Sequence, residues 1–239
     1  VSFYLIDGKV DLFAAAMGVA ALYWALQVQR RAGMAYAVCL AGLFTGLAVV
    51  AKATYVLAVA LPVVGLLFWR ARKLRFSVSL WLPYALFAIL PFVPHAAKNT
   101  LFFGEPFAPF FFLDSQIGAI YRSQGSWNLP EITRQILMIY PLALAYGDYT
   151  FQYGNISGLY IALGPLVFLV PSTVWRRHAQ LVRFTTIIAI AIIPMAFLQA
   201  SYHTMLSPRL VLPSLLAMIP AISFAAEHVF HASAAHSWF

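Results

Sequence analysis

Residues 34–69 read MAYAVCLAGLFTGLAVVAKATYVLAVALPVVGLLFW, an apolar run in which Lys52 is the only charged residue. A single helix over this run would be about 54 Å long at roughly 1.5 Å per residue, whereas the hydrocarbon core of a bilayer is about 30 Å thick. Two helices over 34–51 and 53–69, with Lys52 in the turn between them, match that thickness better. One helix over the whole run is the alternative, because no strong turn residue flanks Lys52.

The composition of the whole chain agrees with a membrane environment. Of the 239 residues, 63% are hydrophobic and 9% are charged, whereas about a quarter of the residues in a soluble domain are charged. We therefore predict an all-α, polytopic transmembrane helical bundle that forms a single domain over 1–239. Its expected spans are about 10–28, 34–51, 53–69, 76–95, 155–175, 184–201 and 208–230.

The distribution of charge orients these spans. With seven spans, the basic clusters at Arg30-Arg31, 70–75 and 176–183 fall on one face, and six of the seven acidic residues fall on the other. The positive-inside rule makes the basic face cytoplasmic. Joining the two spans of 34–69 would move one basic cluster outside, so the seven-span prediction is preferred. Because the net charge of +8 comes from short clusters between apolar runs, we predict no nucleic-acid partner.

This topology leaves one long extracytoplasmic loop over 96–154. The loop is rich in aromatic residues, glycine and proline, and connections of this length usually have a function when they are not disordered. Within it, 130–146 has the spacing of an interfacial helix. Elsewhere, Gly42 and Gly46 lie one helical turn apart, which predicts close helix packing within the chain or, alternatively, at a dimer interface.

Several ionisable groups are predicted at the outer membrane boundary. Lys52, Lys98 and Arg209 share this face and could together bind the phosphate of a lipid, although each could instead extend its ammonium or guanidinium to the interface alone. Asp11 opens the first span, where the helix dipole also favours a carboxylate. The sequence contains no phosphate-binding loop, no CxxC pair and no HExxH pair, so we predict no cofactor and no metal.

Four short motifs follow one another in an order that resembles a known family. They are DLFAA at 11–15, GLFTGLA at 42–48 leading to Lys52, Lys98-Asn99 followed by GEPFAPFF at 104–111, and PRLVLP at 208–213. The third resembles the "RN…GNPVYPFF" loop of the C-superfamily polytopic glycosyltransferases, and the fourth their "RYLLP" helix start. The nearest resemblance is to the bacterial protein-mannosyltransferase-like and aminoarabinose-transferase-like enzymes.

The resemblance implies transfer of a sugar from a polyprenyl-phosphate donor on the extracytoplasmic face of a bacterial inner membrane. In such enzymes basic residues neutralise the phosphate leaving group, a role that would fall to Lys52, Lys98 and Arg209. A carboxylate activates the acceptor, and Asp11 is the catalytic candidate here. The aromatic loop would contact the acceptor or a protein partner through Phe103, Glu105, Phe107, Phe110 and Phe111. Membrane lipids, a polyprenyl-phosphate sugar and proteins of a membrane complex are the expected partners.

One departure from the family bears on activity. The chain begins where the family's first spans and acidic catalytic loop should already have passed, so we expect these residues alone not to transfer sugar. The alternative is a non-catalytic accessory subunit built on a truncated transferase-like scaffold. A solute transporter ranks third, because no predicted span carries an acidic residue at its middle.

Overall fold

The computed structural model of the chain describes residues 10–28, 33–74, 80–104, 106, 162–201 and 212–236. Helices dominate these residues and no strand occurs among them, which confirms the all-α prediction. A π-helical turn over Val56–Ala60 leads directly into the third α-helix. The α-helices are α1 (Val10–Gln27), α2 (Met34–Ala51), α3 (Leu61–Leu74), α4 (Trp81–Ile89), α5 (Phe92–Phe103), α6 (Leu166–Leu169), α7 (Ser172–Arg177), α8 (Ala179–Ser201) and α9 (Leu212–His236).

Two of these helices are long and apolar enough to cross a membrane. They are α2 and the Leu212–His231 part of α9, while Leu12–Gln27 and Ala179–Ile193 form shorter apolar helices. Such lengths are consistent with membrane association. The count of seven spans stays a prediction, and the interfacial helix predicted at 130–146 lies outside the described residues.

Helix α2 ends where the length argument predicts an end. Lys52 leaves the helix with an extended backbone (φ −151°, ψ 101°), and its N–H donates to the Ala48 carbonyl. Helices α1 and α2 pack against each other, with the rings of Trp24 and Tyr36 5.6 Å apart, so the end of α1 lies beside the start of α2. The interpretation of 34–69 as two helices is confirmed, and the single long helix is wrong.

The two glycines of α2 bring it against α4. A Cβ atom added at Gly42 would overlap the carbonyl oxygen of Tyr84, and one added at Gly46 would overlap that of Ala88. Only hydrogen fits between the two backbones at these positions, as in small-residue packing of membrane helices. The prediction of close packing within the chain is confirmed. Because 42 pairs with 84 and 46 with 88, α2 and α4 run in the same direction.

Prolines alter two predicted segments. The segment predicted as a span over 76–95 is divided at Leu90-Pro91 into α4 and α5, because Pro91 has no N–H to continue the hydrogen-bond ladder. Helix α5 then continues to Phe103 and ends at Gly104, which has a φ of 75°, the left-handed conformation that commonly ends helices. The first eight residues of the loop predicted over 96–154 are therefore helical.

The segment predicted as a single span over 155–175 is also interrupted. Val170 has an extended backbone with ψ 125°, and Pro171 follows it as the residue before α7. A residue that precedes proline is driven out of the helical region by contact with the proline ring. One continuous helix through 175 is therefore wrong, and the short helices α6 and α7 replace its end.

The π-helical turn lies at the centre of the described bundle. It contacts α1, α2, α8 and α9, and its Ala58 and Val59 are fully buried. The Ser214 hydroxyl of α9 donates to the Ala58 carbonyl over 3.3 Å. A Cβ added at Gly18 of α1 would lie 2.7 Å from Cγ2 of Val59. Helices α1 and α9 therefore meet the turn at a point where a larger side chain at position 18 would not fit.

Candidate functional site

Lys52 occupies a fixed position in the turn after α2. Its carbonyl accepts a hydrogen bond from the N–H of Tyr55 over 2.9 Å, and its Nζ lies 5.3 Å from the centre of the fully buried Tyr55 ring. An ammonium over an aromatic face is stabilised by the ring quadrupole. The half-buried side chain is therefore oriented by the fold, as a phosphate-binding lysine would need to be.

Lys98 and Asn99 lie within α5 rather than after a span. Lys98 is exposed, whereas Asn99 is only 2% exposed. The Asn99 amide Nδ2 lies 3.1 Å from Nε2 of His95 and donates to the Pro106 carbonyl over 3.3 Å. Asn99 thus connects α5 to the residues just after the helix, a role that the sequence pattern alone did not reveal.

The other predicted site residues are only partly visible. Helices α2 and α5 contact each other; Lys52 is the residue that follows α2, and Lys98 lies within α5. Arg209, the third predicted phosphate ligand, lies outside the described residues, so convergence of the three cations stays a prediction. Asp11 is in the first turn of α1 and Phe103 is the last residue of α5, but their side chains are outside the described part, as are Glu105, Phe107, Phe110 and Phe111 entirely.

At the predicted cytoplasmic end of the bundle, arginine side chains contact aromatic rings and the carboxyl end of a helix. Arg70 of α3 is 7% exposed, and its Nη2 donates to the Leu26 carbonyl in the last turn of α1 over 2.8 Å. A cation at the carboxyl end of a helix is favoured by the helix dipole. Burial lowers the pKa of Arg70 from its ordinary value, yet a guanidinium stays charged at neutral pH.

The ring of Trp69 joins two of the basic clusters. The guanidinium carbons of Arg70 and Arg183 lie 5.0 and 5.6 Å from the centre of this ring. A Cβ added at Gly65 would lie 3.3 Å from Cγ2 of Ile187, so α3 and α8 run side by side in opposite directions. The end of α1, the end of α3 and the start of α8 therefore meet at one end of the bundle.

Helices α6 to α9 line an open cavity of about 1040 Å³, which we name the α6–α9 cavity. Its position is set by ring contacts, since Phe224 of α9 lies 5.3 Å from Trp175 and 4.5 Å from His178. The Trp175 indole also donates to the Val167 carbonyl, which ties α7 to α6. The walls are mostly apolar and include Val167, Phe168, Leu169, Val182, Ala189, Ile190, Ile193, Met218 and Ala221.

Polar side chains also line the α6–α9 cavity, namely Ser172, Arg176, Arg183, Thr185 and Thr186. Arg176 and Arg183 are exposed and line the same cavity. Thr185 lines it too, and its buried Oγ1 has no hydrogen-bond partner in the described part of the chain. The sequence did not predict the cavity, because nothing in it says which short helices are neighbours, although Pro171, one of the lining residues, marked a helix break.

Comparison of the chain with protein families, with curated proteins and with solved structures found no match.

Proposed function

We propose that this chain is a membrane-embedded protein of the polyprenyl-phosphate glycosyltransferase type, with seven spans and its basic loops in the cytoplasm. The proposal joins the motif resemblance to the packing of the described helices. Its two parts, topology and chemistry, rest on different observations.

The directions of neighbouring helices support the topology. Seven spans require α1, α3 and α9 to run inward, and α2, α4 and α8 to run outward. The observed pairs agree: α1 opposes α2, α2 is parallel to α4, and α3 opposes α8. Helix α9 begins beside the π-helical turn that leads into α3, where the Ser214 hydroxyl donates to the Ala58 carbonyl.

The Asn99 bridge is the observation that carries the chemistry. Lys98-Asn99 and the residues from Gly104 onward form the longest of the four motifs, and Asn99 links its two halves through the Pro106 carbonyl. A buried amide is costly unless its hydrogen bonds are made. Fixing the loop directly beside an exposed lysine is what an enzyme that positions a lipid phosphate would require.

A non-catalytic accessory subunit is the second candidate, favoured by one surface. Leu101 and Phe102 at the end of α5 are 84% and 76% exposed. Apolar side chains this exposed, next to the aromatic loop, could pack against another membrane protein. Under this alternative the chain would co-purify with a partner and bind no polyprenyl phosphate.

Reconstitution separates the two candidates. The 239-residue chain in liposomes is expected to retain polyprenyl phosphate, and a Lys52→Gln/Lys98→Gln variant is expected to retain at least tenfold less. Arg72→Gln/Arg177→Gln removes the same charge at the other end and is the matched control. Equal retention by all three proteins would contradict the transferase scaffold.

Activity is tested in the same preparation. We expect no sugar transfer from a polyprenyl-phosphate sugar to a generic acceptor, because general-base catalysis needs a carboxylate placed at the acceptor hydroxyl. Asp11, the candidate from the motifs, lies in the first turn of α1, where the helix dipole already favours it. Turnover that is abolished by Asp11→Asn would contradict this expectation and make Asp11 the catalytic acid.

Topology is tested by cysteine labelling. In a Cys39→Ser background, a Trp127→Cys variant is expected to react with an impermeant reagent in intact cells. Arg72→Cys and Arg177→Cys are expected to react only after lysis. The reverse pattern would overturn the orientation.

A further inference from the structure

The α6–α9 cavity has the length of one bilayer leaflet. Along α8 it is lined from Ala179 to Ile193, and fourteen residues of helix rise about 21 Å. The hydrocarbon core is about 30 Å thick, so this distance reaches from the headgroup level to the middle of the membrane. A lipid chain lying along α8 would fit this dimension.

The cavity walls suit a hydrocarbon chain. Ile190 and Ile193 are 57% and 45% exposed on α8, and Phe168 on α6 is 88% exposed. These side chains surround an open space of about 1040 Å³, at the upper limit of typical small-molecule pockets. An occupant that is long, flexible and apolar fills such a space better than a compact polar molecule.

The positive charge at one end of the cavity favours amphiphiles with an anionic headgroup. Arg176 and Arg183 line it, and within the described residues no ion pair joins either arginine to a carboxylate. The Arg183 guanidinium is already oriented over Trp69, so less ordering is needed when it binds a phosphate. Nearby, the Thr185 hydroxyl lacks a described partner and could donate to a lipid ester oxygen.

We propose that the α6–α9 cavity binds one anionic phospholipid of the cytoplasmic leaflet, with its phosphate at Arg176 and Arg183 and one acyl chain along α8. The site lies at the end of the bundle opposite to Lys52 and differs from the polyprenyl-phosphate site. It rests on the membrane-embedded topology of the proposed function and not on sugar transfer. The charge complementarity of the arginines favours a phospholipid over an apolar helix of another protein as the occupant.

The test measures lipid retained by the detergent-purified chain in native mass spectrometry. Phosphatidylglycerol and phosphatidylcholine are supplied in equal amounts, and we expect phosphatidylglycerol to be retained preferentially. Arg176→Gln/Arg183→Gln should lower phosphatidylglycerol retention about tenfold, because each arginine near an anionic headgroup strengthens its binding and the variant removes two of them. Arg72→Gln/Arg177→Gln has the same charge change at residues that do not line the cavity, and should change retention less than twofold.

A second variant tests the acyl-chain part of the site. Ala189→Trp would place an indole in the cavity and should reduce retention of both lipids, whereas Leu86→Trp on exposed α4 surface should not. Helix content measured by circular dichroism shows that each variant is folded. Equal retention by the wild type and the arginine variant, or no effect of Ala189→Trp, would overturn the proposal.

The proposed function fails in a different way. Resistance of the chain to carbonate extraction is measured on the membranes from which the chain is purified. A chain that carbonate releases is not embedded, and both proposals then fall. A chain that stays in the membrane but shows no preference for phosphatidylglycerol refutes the lipid site alone.

Discussion

The α2–α4 contact and the α6–α9 cavity are both formed by apolar helices. At the contact the two backbones touch, whereas at the cavity the helices leave an open space between them. At the contact, glycines at 42 and 46 leave room only for the carbonyls of α4. At the cavity, Ile190 and Ile193 project from α8 into open space. Hydrophobicity does not distinguish the two regions, because apolar side chains dominate both. Side-chain size and proline breaks determine which helices meet.

The largest expected effect comes from filling the closed contact. Gly46→Ala places a Cβ against the Ala88 carbonyl and should lower the free energy of unfolding by about 3 kcal/mol, since backbones cannot yield as side chains do. Gly65→Ala is the matched control, because its Cβ meets only the Ile187 side chain at 3.3 Å and alanine favours the helix by about 1 kcal/mol. Unfolding by dodecyl sulfate, followed by circular dichroism, compares them. Equal stability of the two variants would remove the distinction between closed and open packing.

The second prediction concerns the connection between α1 and α3. Arg70→Met removes the hydrogen bond to Leu26 and the cation at the end of α1, and should cost about 2 kcal/mol. Arg72→Met is the control, because Arg72 is exposed and contacts only the ring of Phe68 in the described structure, so it should cost less than about 0.5 kcal/mol. The same unfolding assay applies. A larger loss from Arg72→Met would show that the helix-end contact contributes little.

A smaller effect is expected at the π-helical turn. Ser214→Ala leaves the Ala58 carbonyl without the donor seen at 3.3 Å, and should cost about 1 kcal/mol. Thr186→Ala serves as the control, because its hydroxyl binds the Val182 carbonyl within its own helix on an exposed face. If both variants lose the same stability, the hydrogen bond between α9 and the π-helical turn contributes no more to the free energy of unfolding than a bond within one helix.

The smallest effect is expected inside the cavity. Ile190→Ala should change stability by less than about 0.5 kcal/mol, because Ile190 is 57% exposed. Ile188→Ala is the contrasting variant on the same helix, since Ile188 is fully buried and its loss should cost about 2 to 4 kcal/mol. If Ile190→Ala were as destabilising as Ile188→Ala, the α6–α9 cavity would not be open.

The sequence predicted features that depend on local spacing. The turn at Lys52 follows from the length of the apolar run, and the contact of Gly42 and Gly46 follows from their separation by one helical turn. The helical class follows from the low charged fraction of 9%, which predicts a membrane environment. Each of these needs only a few neighbouring residues and one physical rule.

Features that depend on distant neighbours were not predicted. Arg70 belongs to a cluster expected in a cytoplasmic loop, but it binds the end of α1, 44 residues earlier in the chain. Pro91 and Pro171 were visible in the sequence, yet their effects differ: α5 resumes after the first and extends to Phe103, whereas α6 and α7 are both short. The prolines mark breaks without saying which way the chain continues.

The hydrogen bond from Ser214 to Ala58 also has a consequence for biosynthesis. The two residues are 156 positions apart, and a ribosome that adds roughly 5–20 residues per second needs about 8 to 31 s to cover that distance. The contact between α2 and α4 is complete long before then, because its partners are close in sequence. The π-helical turn must therefore wait with the Ala58 carbonyl lacking this donor until α9 arrives. Until that moment the nascent chain is only partly assembled, and this interval is when chaperones and proteases would act on it.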